Sequence, residues 1–134
     1  MKGETKIKVR GYHLDMFSHV NNARYLEFLE EARWDAFEQS NLTPQFFFKR
    51  DWSFIVVNIN ISYKHPATFG NNLTVKTDLK KITTKSIVLA QKIFLDKDKI
   101  LVVEAEVTFV ILDNKTQKAL VIDPEIKDLW FNLK

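Results

Sequence analysis

Residues 11–22, G-Y-H-L-D-M-F-S-H-V-N-N, hold most of the side chains in this sequence that could do chemistry. They comprise one carboxylate, Asp15, an imidazole four positions later, His19, the hydroxyl of Ser18, and the pair Asn21-Asn22. No hydrophobic period runs through them, so they read as a loop leading into a helix start. A carboxylate there either accepts hydrogen bonds from its own turn or serves as base or nucleophile. The residue types leave both open, and Asn21 and Asn22 could do no more than cap the helix. There is no cysteine. A disulfide framework, a thiolate nucleophile and a cysteine zinc site are therefore excluded, and catalysis must use oxygen or nitrogen groups. His13, His19 and His65 lack the spaced carboxylate–histidine pattern of a hydrolytic metal site. No metal and no cofactor is expected.

The elements around this loop follow from periodicity. Residues 5–10 alternate as T-K-I-K-V-R, which puts Ile7 and Val9 on one face of a strand. From residue 22 to about 39 there is no Gly or Pro, and Leu26, Leu29, Ala32, Arg33, Ala36 and Phe37 recur at helical spacing. A long helix is predicted there. Residues 40–51 form a connection or short helical turn carrying Phe46-Phe47-Phe48, whose rings belong to the core or to a pocket lining. Residues 52–64 keep a period of two, with Ile55, Val57, Ile59, Ile61 and Tyr63 on one face against Asn58, Asn60, Ser62 and Lys64. Further strands are predicted from Leu73 to Leu79, over 86–95 and over 100–112, the last two joined by a D-K-D-K hairpin turn. Asp123 should cap a tail helix with Pro124 at its first position.

Strand, long helix and four consecutive strands make one α+β domain over residues 1–134 with a mostly antiparallel sheet. Apolar residues on both faces of 86–95 predict burial beyond what one helix provides, and a homodimer or homotetramer supplies it. With 20 basic and 17 acidic residues the net charge is +3, which favours anionic partners without a nucleic-acid motif. Neither a secretory signal nor an apolar run long enough for a bilayer is visible, so no membrane partner and a cytoplasmic setting are expected.

The longer run H-L-D-M-F-S-H-V-N-N-A-R-Y-L-E-F-L-E-E-A-R resembles the signature of hotdog-fold acyl-CoA thioesterases of the 4-hydroxybenzoyl-CoA thioesterase type. In that family an Asp precedes a G-H-V-N-N-like stretch and a long helix. The stretch V-V-N-I-N-I-S-Y-K-H-P-A-T-F-G-N-N-L is also similar, so the resemblance covers about residues 6–112. It implies a hotdog fold, a long helix wrapped by a mostly antiparallel five-stranded sheet, and hydrolysis of an acyl-CoA substrate. It also implies Asp15 as the catalytic carboxylate and the backbone N–H of Asn22 as the group that polarises the thioester carbonyl. Physical chemistry agrees, because a helix N-terminus offers unpaired N–H groups to a developing oxyanion.

Two departures from the family pattern stand out. Ser18 occupies a position where Gly is common, which matters if positive φ is needed there. His13 occupies a position where an acidic residue is frequent. The remaining expectations are His19 as an orienting or proton-moving neighbour, Glu31 as a reserve catalytic carboxylate, and Ser18 and Tyr25 as substrate contacts. Lys81, Lys85 and Ser86, between two strands, are the expected receivers of coenzyme A. The rival readings are a non-catalytic acyl-CoA-binding hotdog protein and a hotdog enoyl-CoA hydratase, whose Asp and His lie five positions apart rather than the four seen here.

Overall fold

The long helix forms where the sequence predicts it. The computed structural model describes residues 2–131. In chain order these form β1 (Lys2–Lys8), a 3-10 turn (Gly11–His13), α1 (Asn22–Glu38), α2 (Pro44–Arg50) and β2 (Trp52–Tyr63). There follow β3 (Asn72–Ile82), β4 (Ile87–Leu95), β5 (Leu101–Asp113), the two-residue β6 (Lys118–Ala119) and α3 (Pro124–Phe131). Asn21 caps α1, its Oδ1 accepting from Ala23 N at 2.9 Å. Thr43 caps α2 in the same way, with Pro44 at its first position. The tail helix starts as predicted, Asp123 Oδ1 accepting from Ile126 N at 2.9 Å.

The sheet runs β1-β3-β4-β5-β2, every pair antiparallel, with β6 added to the end of β5. Helix α1 buries Tyr25, Phe28, Leu29, Ala32, Arg33, Ala36 and Phe37 against its concave face. Leu26, expected with that stripe, is 38% exposed. At one end of α1 the core includes Val20, Leu29, Ala67, Leu73, Val75, Ile93 and Val103. At the other end it is aromatic, with Phe37, Phe47, Phe109 and Trp130 packed together and α3 closing it. Gly3 lets β1 approach α1 closely, since a Cβ there would lie 3.2 Å from Ala36 Cβ.

Two expectations about the sheet need correction. The alternation over 52–64 is interrupted by a bulge: Val56 pairs with Phe109 and Asn58 with Thr108, leaving Val57 without an opposite residue and 54% exposed. Beyond the bulge the faces of β2 exchange relative to a strict period of two. The outer face of β4 is also less apolar in context than its own sequence implies. Neighbouring strands bring Lys80 and Glu106 into an ion pair across it, while Lys76 lies over the Phe94 ring at 5.5 Å. No helix among the described residues is long and apolar enough to cross a membrane.

Candidate active site

The loop that carries Asp15 is folded by its own backbone. Leu14 and Val20 form an isolated antiparallel bridge, which makes residues 15–19 a reverse turn beside the start of α1. Asp15 N donates to His19 O at 2.8 Å and Ser18 N to Asp15 O at 3.1 Å. The Asp15 side chain completes the turn, its Oδ1 accepting from Phe17 N at 2.8 Å and from His19 N at 3.3 Å. Oδ2 accepts no hydrogen bond from the described residues. One carboxylate oxygen thus fixes the group and the other is unshared among the described residues. Ser18 sits at φ +63°, where a Gly would sit without strain and an L-residue costs roughly 1–2 kcal/mol.

The turn is tied to its surroundings on both sides. Val20 N donates to Ala67 O at 2.9 Å, and His19 bridges to Thr68. The Ala67 N–H in turn donates to the Tyr25 hydroxyl at 3.0 Å, deep in the core. Tyr25 is only 3% exposed, so in this chain it positions the 65–67 segment rather than facing a substrate. Asn21 N donates to His13 O at 2.9 Å, which holds the helix entry. The next amide, Asn22 N–H, finds no acceptor among the described residues and lies at the positive end of α1. The hydroxyl of Tyr63, at the end of β2, donates to Asn22 O at 3.4 Å.

His13 has a structural place. It is buried, its ring meets Phe28 edge-on at 4.9 Å, and its Nδ1 accepts from Arg10 N at 2.9 Å. That bond suits the neutral ring protonated on Nε2. Burial lowers its pKa below the ordinary value of 6.5, the nearby Arg24 and Arg10 charges add to the fall, and Glu27 opposes it. Because the folded state resists protonation more than the unfolded chain, the unfolded chain binds more protons just below pH 6.5. Stability should therefore drop as pH falls from 7 through that value, and His13→Gln should flatten this slope in urea melts at pH 5.5 and 7.5.

The other expected residues scatter. The His19 side chain is exposed and engages the loop only through its backbone. Glu31 is exposed more than two helical turns beyond Asn22 and lines a groove against β1, away from the Asp15 turn. Lys81, Lys85 and Ser86 lie at the β3–β4 connection, where Ser86 Oγ and Thr83 Oγ1 are 2.5 Å apart. The Asp15 loop neighbours the opposite end of β3, through Ala67 and Thr68, so roughly 30 Å of strand separates them. Within one chain the structure does not bring this lysine turn to Asp15.

Two further features join residues distant in sequence, the first lined by aromatic residues that the sequence assigned to the core or to a pocket. An apolar groove of about 450 Å³ runs between the second half of α1, α2 and the first half of β2, with Trp34, Phe47, Phe48, Trp52 and Phe54 among its walls. Arg33, also in its wall, is buried without a carboxylate: Nη1 donates to Gln91 Oε1 at 3.1 Å. Gln91 Nε2 donates to Leu29 O at 3.0 Å and to Thr77 Oγ1 at 2.9 Å. Burial lowers the Arg33 pKa, with Glu30 one turn away opposing.

Comparison with known proteins agrees with this architecture. The family model described as the thioesterase-like superfamily matches residues 9–129. Long-chain acyl-CoA thioesterase FadM of Escherichia coli is 50% identical over 125 residues, 93% of this chain and 94% of that protein. The chloroplastic acyl-acyl carrier protein thioesterase ATL2 of Arabidopsis thaliana is 30% identical over 112 residues, 84% of this chain and 60% of that protein. The crystal structure of the probable thioesterase YbaW from Escherichia coli superposes with a TM-score of 0.91 at 47% identity, covering 98% of each chain. With the family model spanning most of its length and the helix-wrapping sheet reproduced in that structure, the chain belongs to the thioesterase-like superfamily and has the hotdog fold.

Proposed function

We propose that the chain hydrolyses acyl-CoA thioesters to the free acid and coenzyme A, using Asp15 as its carboxylate and the Asn22 N–H as oxyanion donor. The observation that carries this reading is the Asp15 carboxylate, with one oxygen tied by two amides and the other unshared, in a turn adjoining the unpaired first amide of α1. As a base, Asp15 takes a proton from the water that attacks the carbonyl. As a nucleophile, it forms a mixed anhydride that water then cleaves. In both routes the carbonyl oxygen gains charge facing a helix N-terminus, and coenzyme A leaves as the thiolate. The apolar groove suits a fatty acyl chain, as the long-chain substrate named for FadM would require. A reducing cytoplasm is the proposed setting, on the ground that the chain has no cysteine. The test is release of free thiol from short, long and aromatic acyl-CoAs. No release from any of them would overturn the reading, and consumption of enoyl-CoA without thiol would favour a hydratase.

The same reading includes a homodimer. β2 is an edge strand of twelve residues with Ile55, Val56, Val57 and Tyr63 exposed by 38–54%, flanked on α1 by exposed Leu26 and Trp34. A long apolar edge with unpaired backbone groups is a template for another strand, and a two-fold axis pairs it with its own copy. Antiparallel pairing sets the groove of one copy beside the Asn22 end of the other. The outer sheet face, with its Lys80–Glu106 and Lys76–Glu4 pairs, is less suited to further assembly. Val57→Lys should shift sedimentation from dimer to monomer and depress turnover; a wild-type protein that sediments as a monomer at assay concentration would sink this arrangement.

A further inference from the structure

We infer that His13 is a positioning residue for thioester hydrolysis, fixing the Asn22 N–H relative to the Asp15 carboxylate, an inference that rests on the acyl-CoA reading above. His13 is joined to both sides of the loop. Its carbonyl accepts from Asn21 N, the N-cap of α1, and its ring Nδ1 accepts from Arg10 N, each at 2.9 Å. The amide after Asn21 is the proposed oxyanion donor, and the proposed catalytic carboxylate lies two residues after His13. Leu14 and Val20 bridge between them. One residue thus ties the chain entering the loop at Arg10 to the helix start at Asn21, with the carboxylate inside the loop it closes. Phe28 of α1 and Tyr12 hold the ring from two sides, their centroids 4.9 and 4.2 Å from its own.

The clamp needs an imidazole without a proton on Nδ1. In the protonated ring both nitrogens carry hydrogen, so Nδ1 meets the Arg10 N–H as a second donor and no rotation of the ring restores an acceptor. The charges around it come from Arg24 and Glu27 of α1 and from Arg10 of its own loop, where Tyr12 is the other titratable neighbour. Glu31 lines the same groove one turn beyond Glu27, and β1 turns Thr5 and Ile7 toward α1 and brings no charge to that side. Burial is the main reason the ring stays neutral below the ordinary value of 6.5, with Arg24 and Arg10 reinforcing it and Glu27 opposing. The clamp is closed at neutral pH. It opens as pH falls through a value below 6.5, taking the oxyanion donor out of register with the carboxylate.

The test is the pH dependence of kcat and KM for palmitoyl-CoA in wild type, His13→Asn and His13→Phe. Asn places Oδ1 where Nδ1 stands, two bonds beyond Cβ, and accepts without titrating; Phe keeps a ring and loses the acceptor. At pH 7.5 the Phe variant should lose roughly 10- to 100-fold in kcat with KM nearly unchanged, while Asn stays within a few-fold of wild type. Below pH 6.5 wild-type kcat should fall relative to the Asn variant, since the limb set by Asp15 is common to both and cancels in their ratio. A ratio that stays constant from pH 5 to 7.5, an unchanged kcat in the Phe variant, or a loss carried by KM would overturn the assignment. If the Phe variant fails to fold, the ratio of wild type to Asn decides alone. If wild type releases no thiol from any thioester, the thioesterase reading fails on its own. Nuclear magnetic resonance still decides the clamp: the Asn22 amide should titrate with the His13 ring in wild type and lose that step in His13→Asn, and an amide that does not follow the ring overturns it.

Discussion

Replacing Asp15 with Asn is expected to lower kcat by roughly 10²- to 10⁴-fold, while KM for the acyl-CoA stays within a few-fold. The substitution is chosen for what it keeps. An Asn side-chain oxygen still accepts from Phe17 N and His19 N, so the turn, and with it the entry to α1, should persist. What is lost is the second oxygen, which neither abstracts a proton nor attacks a carbonyl once it is an amide nitrogen. Asp15→Ala removes the turn's acceptor as well, and should lower both the melting temperature and the rate. Steady-state kinetics beside thermal melts separate the two. Asn with wild-type turnover would move the chemistry away from Asp15, and a KM rise with unchanged kcat would make it a binding group only.

The largest loss of stability is expected from Gln91→Leu, at roughly 3–5 kcal/mol in urea titration. Gln91 is fully buried and is the neutral partner through which the Arg33 charge is tolerated. Leu would fill similar space, so the loss would come not from a cavity but from a guanidinium left in the core without an acceptor. Adding Arg33→Met should recover most of it, because two apolar groups of similar volume do without the pair. If the single variant loses less than about 1 kcal/mol, Arg33 has found water or another acceptor and the network carries little.

Sequence and structure agree most where a pattern is local. The α1 stripe, apart from Leu26, the Asp123 cap and the loop character of residues 11–22 depend on neighbours within a few positions and stand as read. The bulge at Val57 was invisible because it is defined by the register of β5, not by any residue of β2. His13 drew attention as a departure from a family pattern, yet its burial follows from Phe28 and Arg10, which only the fold places around it. The Gln91 contacts link α1, β3 and β4, a distance in sequence that no periodicity spans. The cations of β1 were readable as the exposed side of a strand. The close approach of β1 to α1 at Gly3 was not, since it depends on where the fold places Ala36.

The packing of Trp130 has a consequence for how the molecule is made. Its indole lies against Phe37, Phe54 and Phe109, contributed by α1, β2 and β5. On a ribosome, helix and sheet can assemble before the α3 segment emerges, but this aromatic end must then wait uncovered. Contacts this distant in sequence form late and slowly, and exposed aromatic surface is what nascent chains aggregate through. The emergence of α3, rather than of the long helix, sets when this end of the fold becomes safe from its neighbours.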